Sequence, residues 1–163
     1  MTTRFATLAD AALITAHRRA MFATMPNPNE AKLDAMSRAF EPWVKERIAE
    51  GKYLGWIMEE DGKLAGSAGM LIMDWPPHPL HPETRERAYL LNVFVEQEFR
   101  RRGLANTLVE QCLKEAERRG IRVVTLHSSD AGRPVYEKLG FRSTSEMMFV
   151  QKSSPGEIGR AHV

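Results

Sequence analysis

The sequence is nearly free of cysteine, since Cys112 is the only one among 163 residues. A single thiol excludes an internal disulfide and any zinc site built from clustered cysteines. This usage fits a protein of a reducing compartment. We predict that Cys112 is a core residue, and we predict no metal site.

The sequence also lacks a long hydrophobic run. Its longest apolar stretch, residues 88–95, is interrupted by Asn92 and is far shorter than the roughly 20 residues that span a membrane. The first residues, Met1 to Arg4, contain no apolar segment of the kind that a secretory signal requires. We therefore expect no membrane partner and a cytoplasmic location.

An excess of charge of one sign is missing as well. Lysine and arginine number 23 against 21 aspartates and glutamates, so the net charge is only +2. Such a balance produces no field strong enough to attract a polyanion. Nucleic-acid binding through the basic triplet Arg100 to Arg102 is one hypothesis, but three arginines on a nearly neutral chain are thin support. We expect no nucleic-acid partner.

Length and composition are those of one globular domain. The chain is 43% hydrophobic and 27% charged over its 163 residues, which is ordinary for a folded protein of this size. We predict a single domain over residues 1–152. Residues 153–163 contain one proline, two glycines and little apolar content, and we predict a disordered tail there.

Hydrophobic periodicity and turn signals predict a mixed order of helices and strands. A helix follows Asp10, which is placed to cap it, and a second helix covers residues 30–50. A hairpin of strands 53–59 and 63–73 precedes a proline-rich loop over residues 75–82. The second half is predicted to contain, in order, a central strand over 88–95, a helix over 102–119, a strand over 122–127, a short helix over 131–139 and a last strand over 141–150.

The connection between the central strand and the next helix is a candidate phosphate site, and the alternative is a solvated helix start in which Gly103 only forms a turn. A helix that begins near Gly103 presents unpaired backbone N–H groups and the positive end of its dipole. Glycine at this position lets an oxygen approach the backbone closely. The sequence has neither the Gly-x-x-x-x-Gly-Lys-Ser/Thr pattern of a nucleotide P-loop nor Gly-x-Gly-x-x-Gly.

Two separated motifs in this half resemble one known family. Val93 to Val95, followed by Arg100-Arg101-Arg102-Gly103-Leu104-Ala105, is similar to the Arg/Gln-x-x-Gly-x-Gly/Ala signature of the GCN5-related N-acetyltransferases. Residues 133–141 are similar to that superfamily's Tyr-x-x-x-Gly-Phe element, with Tyr136 as its tyrosine. The resemblance implies the α/β (α+β) fold of this superfamily, with a mixed, mostly antiparallel sheet flanked by helices.

The resemblance also implies a cosubstrate and its site. Acetyl-CoA would place its pyrophosphate on the N–H groups of Arg101 to Asn106 and its pantetheine arm along Val93 to Val95. The central strand would diverge from the strand after it and leave a slot for the thioester. The implied cofactor-binding residues are Val93, Phe94, Val95, Arg100, Arg101, Arg102, Gly103, Leu104, Ala105, Asn106 and Ser129.

The implied catalytic residues are Tyr136, Val95 and Asn92. Tyr136 would donate a hydrogen bond to the departing thiolate, and a backbone N–H near Val95 would polarise the acetyl carbonyl. Asn92 either faces the amine site or is a buried amide with its hydrogen bonds satisfied inside the core.

The base that deprotonates the amine is open. Histone-type members carry a glutamate at the position that Tyr89 occupies here, so a glutamate base at that point is absent. His78 and His81 in the proline-rich loop are candidates, because histidine is the side chain whose ordinary pKa lies nearest neutrality. The alternative for both histidines is an ordinary surface residue.

We expect an N-acetyltransferase that moves an acetyl group directly to a primary amine of a small molecule or a protein. The alternative is a catalytically silent acyl-CoA-binding regulatory module. Apolar strand edges and the proline-rich loop suggest a homodimer.

Overall fold

The structure is a computed structural model that describes residues 1–152. Four helices and five strands alternate along this part of the chain. They are β1 (Thr2–Phe5), α1 (Ala11–Ala23), α2 (Glu30–Ala49), β2 (Tyr53–Glu60), β3 (Lys63–Asp74), β4 (Glu86–Val95), α3 (Leu104–Arg118), β5 (Val124–Thr125) and α4 (Arg133–Lys138).

The strands form one sheet in the order β1-β2-β3-β4-β5. The first four are antiparallel neighbours, and β5 joins β4 in parallel. The predicted mixed, mostly antiparallel sheet is therefore confirmed. The predicted hairpin is also confirmed, since β2 and β3 pair from Tyr53 with Leu71 to Glu60 with Lys63.

Helices cover both faces of this sheet, because side chains alternate between the faces along each strand. One face packs against α3, where Leu108, Val109 and Cys112 are fully buried. The other face packs against α1 and α2 through Ile14 and Val44. Cys112 is thus the core residue that the sequence predicts.

Strand β4 departs from regular pairing in a way that shapes one end of the sheet. Ser67 and Gly69 of β3 pair with Phe94 and Leu91, so two steps along β3 oppose three along β4. The extra residue marks a β-bulge, and Asn92 within it has a φ of 56°. This left-handed conformation is uncommon outside glycine but is tolerated by asparagine.

The pairing of β4 with β5 is very short. It contains only Ala88 with Val124 and Tyr89 with Thr125, so the rest of β4 has an edge that β5 leaves open. The strand predicted over residues 122–127 is real but is reduced to these two residues. Early divergence from β4 removes the partner that a longer strand requires.

The last predicted strand is wrong. Residues 141–152 contain no strand, and Met147 and Phe149 are 94% and 82% exposed. Apolar character in a sequence indicates a strand only where a neighbouring strand accepts its hydrogen bonds, and this segment has none among residues 1–152. Strand β1 was missed for the opposite reason, since its short polar sequence pairs with β2 through the backbone.

The remaining predicted elements are found with small shifts of their ends. Helix α3 begins two residues after its predicted start, and the proline-rich segment is irregular except for one bridge between His78 and His81. None of the helices in the described part of the chain is long and apolar enough to cross a membrane. The predicted disorder of residues 153–163 concerns residues outside those described.

A buried histidine fastens α1 to the sheet. His17 Nδ1 lies 2.6 Å from Ser67 Oγ on β3, and its Nε2 lies 3.0 Å from Glu96 Oε1 just after β4. A neutral ring satisfies both contacts, accepting from the serine hydroxyl and donating to the carboxylate. Burial lowers the pKa of His17 although Glu96 acts in the opposite direction. The folded protein therefore favours the neutral form of His17.

This pKa shift predicts a loss of stability on acidification. A histidine with a lowered pKa in the folded state binds its proton more readily when unfolded, so the stability it supports is complete above pH about 6.5 and falls below it. We expect the free energy of unfolding, measured in urea, to fall between pH 7.5 and 5.5 in the wild type. His17→Gln should reduce this pH dependence, whereas His78→Gln, at an exposed position, should leave it intact. Equal pH dependence in His17→Gln and wild type would contradict the assignment.

Candidate active site

The turn between β4 and α3 presents a row of free backbone donors. After a short 3-10 helix, Gln97–Phe99, the chain enters α3 at Leu104. The N–H groups from Arg101 to Asn106 donate to no residue in the described range 1–152, and the first partnered one is Thr107, which donates to Gly103 O at 3.1 Å. We call residues 100–106 the phosphate turn.

Gly103 keeps the phosphate turn accessible. Its φ of +74° is a conformation that favours glycine, and a Cβ built on it has no atom within 4 Å. The position is therefore open space in front of the helix N-terminus. Such a concave row of N–H groups is suited to an anion.

The three arginines of the turn have different surroundings. Arg102 forms two hydrogen bonds of 2.8 Å with the Glu60 carboxylate and lowers the pKa of that group. Arg100 donates from Nε to Val95 O at 3.0 Å and stacks over the Phe94 ring. Arg101 is exposed and has a φ of 63°. The structure thus uses Arg102 and Arg100 to hold the turn and leaves Arg101 facing solvent.

The open edge of β4 leads away from this turn. The Glu96 N–H donates to Ala65 O of β3 at 2.8 Å. Because N–H groups alternate in direction along a strand, the Val95 N–H points to the other edge, which β5 does not reach. A groove of about 490 Å³ runs there, between Val93 to Val95 and the phosphate turn, with Val135 on its far side.

A second cavity adjoins the groove and shares Val93, Ala105 and Val135 with it. Its volume is about 400 Å³, and we call it the inner cavity. Helix α1, strand β4 and the segment from His127 to Tyr136 enclose it. Its lining includes Arg18, Met21, Phe22, Met25, Tyr89, Leu91, Asn92, His127, Ser129 and Tyr136.

Tyr136 reaches the inner cavity from α4. Its ring is half-buried and meets Phe141 edge-on at 5.8 Å. Burial raises the pKa of the phenol, so the hydroxyl keeps its proton. That hydroxyl has no hydrogen-bond partner within residues 1–152, which leaves the proton free for a ligand.

Ser129 and Asp130 precede α4. The Ser129 hydroxyl accepts a hydrogen bond from the Gly132 N–H at 3.1 Å, and the Ser129 carbonyl accepts from Arg133 N–H at 3.0 Å. Ser129, and not Asp130, supplies the acceptors before this helix. Ser129 also lines the inner cavity.

Asn92 is 2% exposed and has both ends of its amide partnered. Its oxygen accepts from Arg18 Nη1 at 2.8 Å, and its nitrogen donates to Tyr53 Oη at 3.1 Å. Of the two interpretations of Asn92, the side chain therefore fits the buried amide whose hydrogen bonds are satisfied. The residue still forms part of the cavity wall. Burial raises the pKa of Tyr53 well above its usual range.

The histidines of the proline-rich loop are not at this site. His81 is buried, and its Nε2 accepts from Arg87 Nε at 2.8 Å. His78 is exposed and accepts from the Leu80 N–H at 3.1 Å. Neither lines the groove or the inner cavity. A different histidine does, since His127 Nδ1 contacts the Tyr89 hydroxyl and both side chains line the inner cavity.

His127 and Arg18 are the site residues that sequence reasoning missed. Both stand outside the recognised motifs, and Arg18 looks like part of the polar face of α1. Only packing of α1 on β4 brings Arg18 to the cavity. No group of three or more histidine, cysteine, aspartate or glutamate side chains suited to a metal occurs in the described range.

The family of the chain follows from its similarity to known proteins. Residues 26–154 match the family model described as an acetyltransferase (GNAT) domain. The chain belongs to the GNAT acetyltransferase family. Among solved structures, it resembles a GCN5-related N-acetyltransferase from Ralstonia eutropha JMP134, with 35% identity and a TM-score of 0.87 over 92% of this chain and 97% of that one.

Other GNAT relatives carry more specific descriptions. A predicted acetyltransferase from Clostridium acetobutylicum, solved with acetyl-CoA, is 25% identical with a TM-score of 0.79 over 92% of this chain and 95% of that one. The ribosomal protein bS18-alanine N-acetyltransferase of Escherichia coli (strain K12) is 27% identical over 72% of this chain and 76% of its own length. Human N-acetyltransferase 8 is 30% identical over 65% of this chain, and the match covers 46% of the length of that protein.

These findings confirm the family and the fold predicted from the sequence. At the level of the family they also confirm the acetyltransferase class and acetyl-CoA as the cosubstrate. The relatives differ in the acceptors that their descriptions name, so family membership leaves the acceptor of this GNAT protein open.

Proposed function

We propose that this GNAT protein transfers the acetyl group of acetyl-CoA directly to a primary amine. The observation that carries the proposal is the free row of N–H groups in the phosphate turn, which opens into a groove along β4 that adjoins the inner cavity lined by Tyr136. Acetyl-CoA supplies the activated thioester when bound. Burial raises the pKa of the Cys112 thiol and keeps it inside the core, which argues against an acetylated cysteine intermediate.

The residues present fit a pyrophosphate with an extended arm. The N–H groups of Arg101 to Asn106 bind the pyrophosphate oxygens, and beside them stands Arg101, which forms no ion pair with any of residues 1–152. Val93 to Val95 offer their open backbone edge to the amides of the arm, as a strand offers its edge to an added peptide. Ser129 lines the cavity at the end of that arm.

Cosubstrate binding predicts a sharp contrast between two glycines of one helix. Gly103 and Gly120 have the same φ of +74° and the same open surroundings, but Gly120 lies at the far end of α3. Gly103→Glu places a carboxylate in the phosphate turn, so acetyl-CoA should cease to raise the melting temperature. Gly120→Glu carries the same backbone strain and charge and should respond like the wild type.

A thermal-shift titration measures both variants. At 100 times its dissociation constant, a ligand adds about 2.7 kcal/mol of stability, or several degrees in melting temperature. A full shift in Gly103→Glu would contradict the assignment of the turn.

The transfer step needs one donor for the acetyl oxygen and one for the leaving sulfur. The Val95 N–H, on the open edge of β4, is suited to polarise the carbonyl. The Tyr136 hydroxyl is protonated and makes no hydrogen bond to any of residues 1–152, so it is suited to donate to the thiolate. A raised phenol pKa makes complete proton transfer to a thiolate unfavourable, so a hydrogen bond that stabilises the thiolate is the role that these facts support.

Tyr136→Phe tests this role and separates an enzyme from a silent acetyl-CoA-binding module. The ring still packs on Phe141, so acetyl-CoA should shift the melting temperature as in the wild type. Release of free CoA in the presence of amines should fall by a factor on the order of 10² in kcat. Equal turnover in both proteins would remove Tyr136 from the mechanism, and full acetyl-CoA binding without turnover in the wild type would favour the silent module.

The amine must lose a proton to attack, and Tyr89 and His127 provide a route for it. Burial raises the pKa of Tyr89, so its hydroxyl acts as a relay and does not stand as an anion. The amine proton passes to Tyr89 Oη while the phenol proton passes to His127 Nδ1. The His127 side chain is 54% exposed, so the proton that its ring accepts can pass on to solvent.

Tyr89→Phe should therefore lower kcat/KM by a factor on the order of 10² at neutral pH. The loss should shrink as the pH is raised toward the amine's own pKa, because more of the amine is then neutral without a relay. His127→Gln should behave in the same way, whereas His78→Gln should match the wild type. A deficit that is independent of pH would point to a structural effect and against the relay.

A further inference from the structure

The inner cavity contains an unusual charge. Among its described lining residues, Arg18 is the one permanent charge, and none is an aspartate or a glutamate. A half-buried cation is ordinarily paired, because removing a charge from water is costly. The cavity wall supplies no partner of opposite sign.

Arg18 is held firmly in place by contacts that leave its charge unmet. Its Nη1 donates to Asn92 Oδ1 at 2.8 Å. Its guanidinium lies over the rings of Phe22 and Phe40, each centroid 4.9 Å away. Burial lowers the pKa of this group, although a guanidinium stays protonated at any pH the protein meets.

The other edge of the guanidinium has no acceptor. Nε is buried without a hydrogen-bond partner, and Nη2 makes no hydrogen bond within residues 1–152. Because Nε is enclosed, Nη2 is the group on this edge that can donate to a carboxylate oxygen of a ligand. The adjacent Arg19 shows the contrast, since it is paired with Glu30 at 2.6 Å and Asp34 at 2.8 Å.

The rest of the cavity fits an apolar group next to a reactive amine. Met21 and Phe22 line it from α1, Met25 lines it from just after that helix, and Val135 lines it from α4. The charge of Arg18 acts on the Tyr89 hydroxyl, opposing the larger effect of burial on that pKa. An amine at Tyr89 and an anionic group at Arg18 are thus neighbours within one small cavity.

We propose that the acceptor is an α-amino acid with an apolar side chain, whose carboxylate pairs with Arg18 while its amine faces Tyr89. This inference rests on the proposed acetyl transfer and names its substrate class. The carboxylate supplies the negative charge that the cavity lacks and gives Nη2 an acceptor. An acceptor with a second positive charge is disfavoured by the same arginine.

The test compares acids with amides that lack only the charge. L-leucine and L-phenylalanine are each paired with the corresponding carboxamide, and kcat/KM is measured with acetyl-CoA and corrected for the neutral fraction of each amine. In the wild type the acid should exceed the amide by at least roughly tenfold, as a charge-assisted hydrogen bond supplies. Arg18→Gln should erase this preference, because kcat/KM should fall more for each acid than for its amide. Arg19→Gln, which changes the neighbouring exposed arginine, should keep it.

A binding measurement makes the test independent of turnover. Calorimetry with the CoA-loaded protein should show binding of N-acetyl-L-leucine or N-acetyl-L-phenylalanine that exceeds binding of the matching amide, and Arg18→Gln should abolish the difference. Equal behaviour of acid and amide in the wild type, or a preference that survives Arg18→Gln, overturns the inference.

Failure of the proposed function gives a different result. In that case acetyl-CoA does not raise the melting temperature of the wild type, or it does so without transfer to any amine. Acid-specific binding of the N-acetyl product is read separately, so its absence overturns the substrate class alone.

Discussion

Strand β4 carries one residue more than β3 across the bulge at Asn92, and the geometry of the site follows from that mismatch. The bulge accompanies a left-handed residue and a locally stronger twist, and β4 parts from β5 after two pairs. The resulting gap is where the groove and the inner cavity lie. Asn92 also bonds Tyr53 and Arg18 on the face of the sheet that α1 and α2 cover. One amide thus links the bent strand to a core tyrosine and to the charge on α1.

The positive charges of the site differ in whether an acceptor within the protein neutralises them. Arg102 is paired with Glu60, and Arg100 is bonded to the end of β4. These contacts fix the phosphate turn, so its N–H groups are oriented before any ligand arrives, which lowers the ordering cost of binding. Arg18 is held by an amide and two aromatic rings instead of a carboxylate. Its position is therefore fixed while its charge stays available to a ligand.

Much of this was predictable from local sequence signals. The strand, the basic turn and the helix of residues 93–106 form a contiguous motif, and free N–H groups at a helix start are a property of any helix. The hairpin and the amphipathic α3 follow from alternation and 3.6-residue periodicity. The last predicted strand failed because apolar content does not supply a partner strand.

The sequence by itself was sufficient to predict the family and to single out the phosphate turn and Tyr136 as candidates, because each depends on residues that are close along the chain and whose backbone geometry is set locally. Tertiary structure alone decided the content of the inner cavity. Arg18 and Asn92 are 74 residues apart, and Tyr89 and His127 are 38 apart. Contacts over such separations depend on how helices dock on the sheet and where two strands diverge. No local pattern records them, and they set the shape and charge of the cavity beside the phosphate turn.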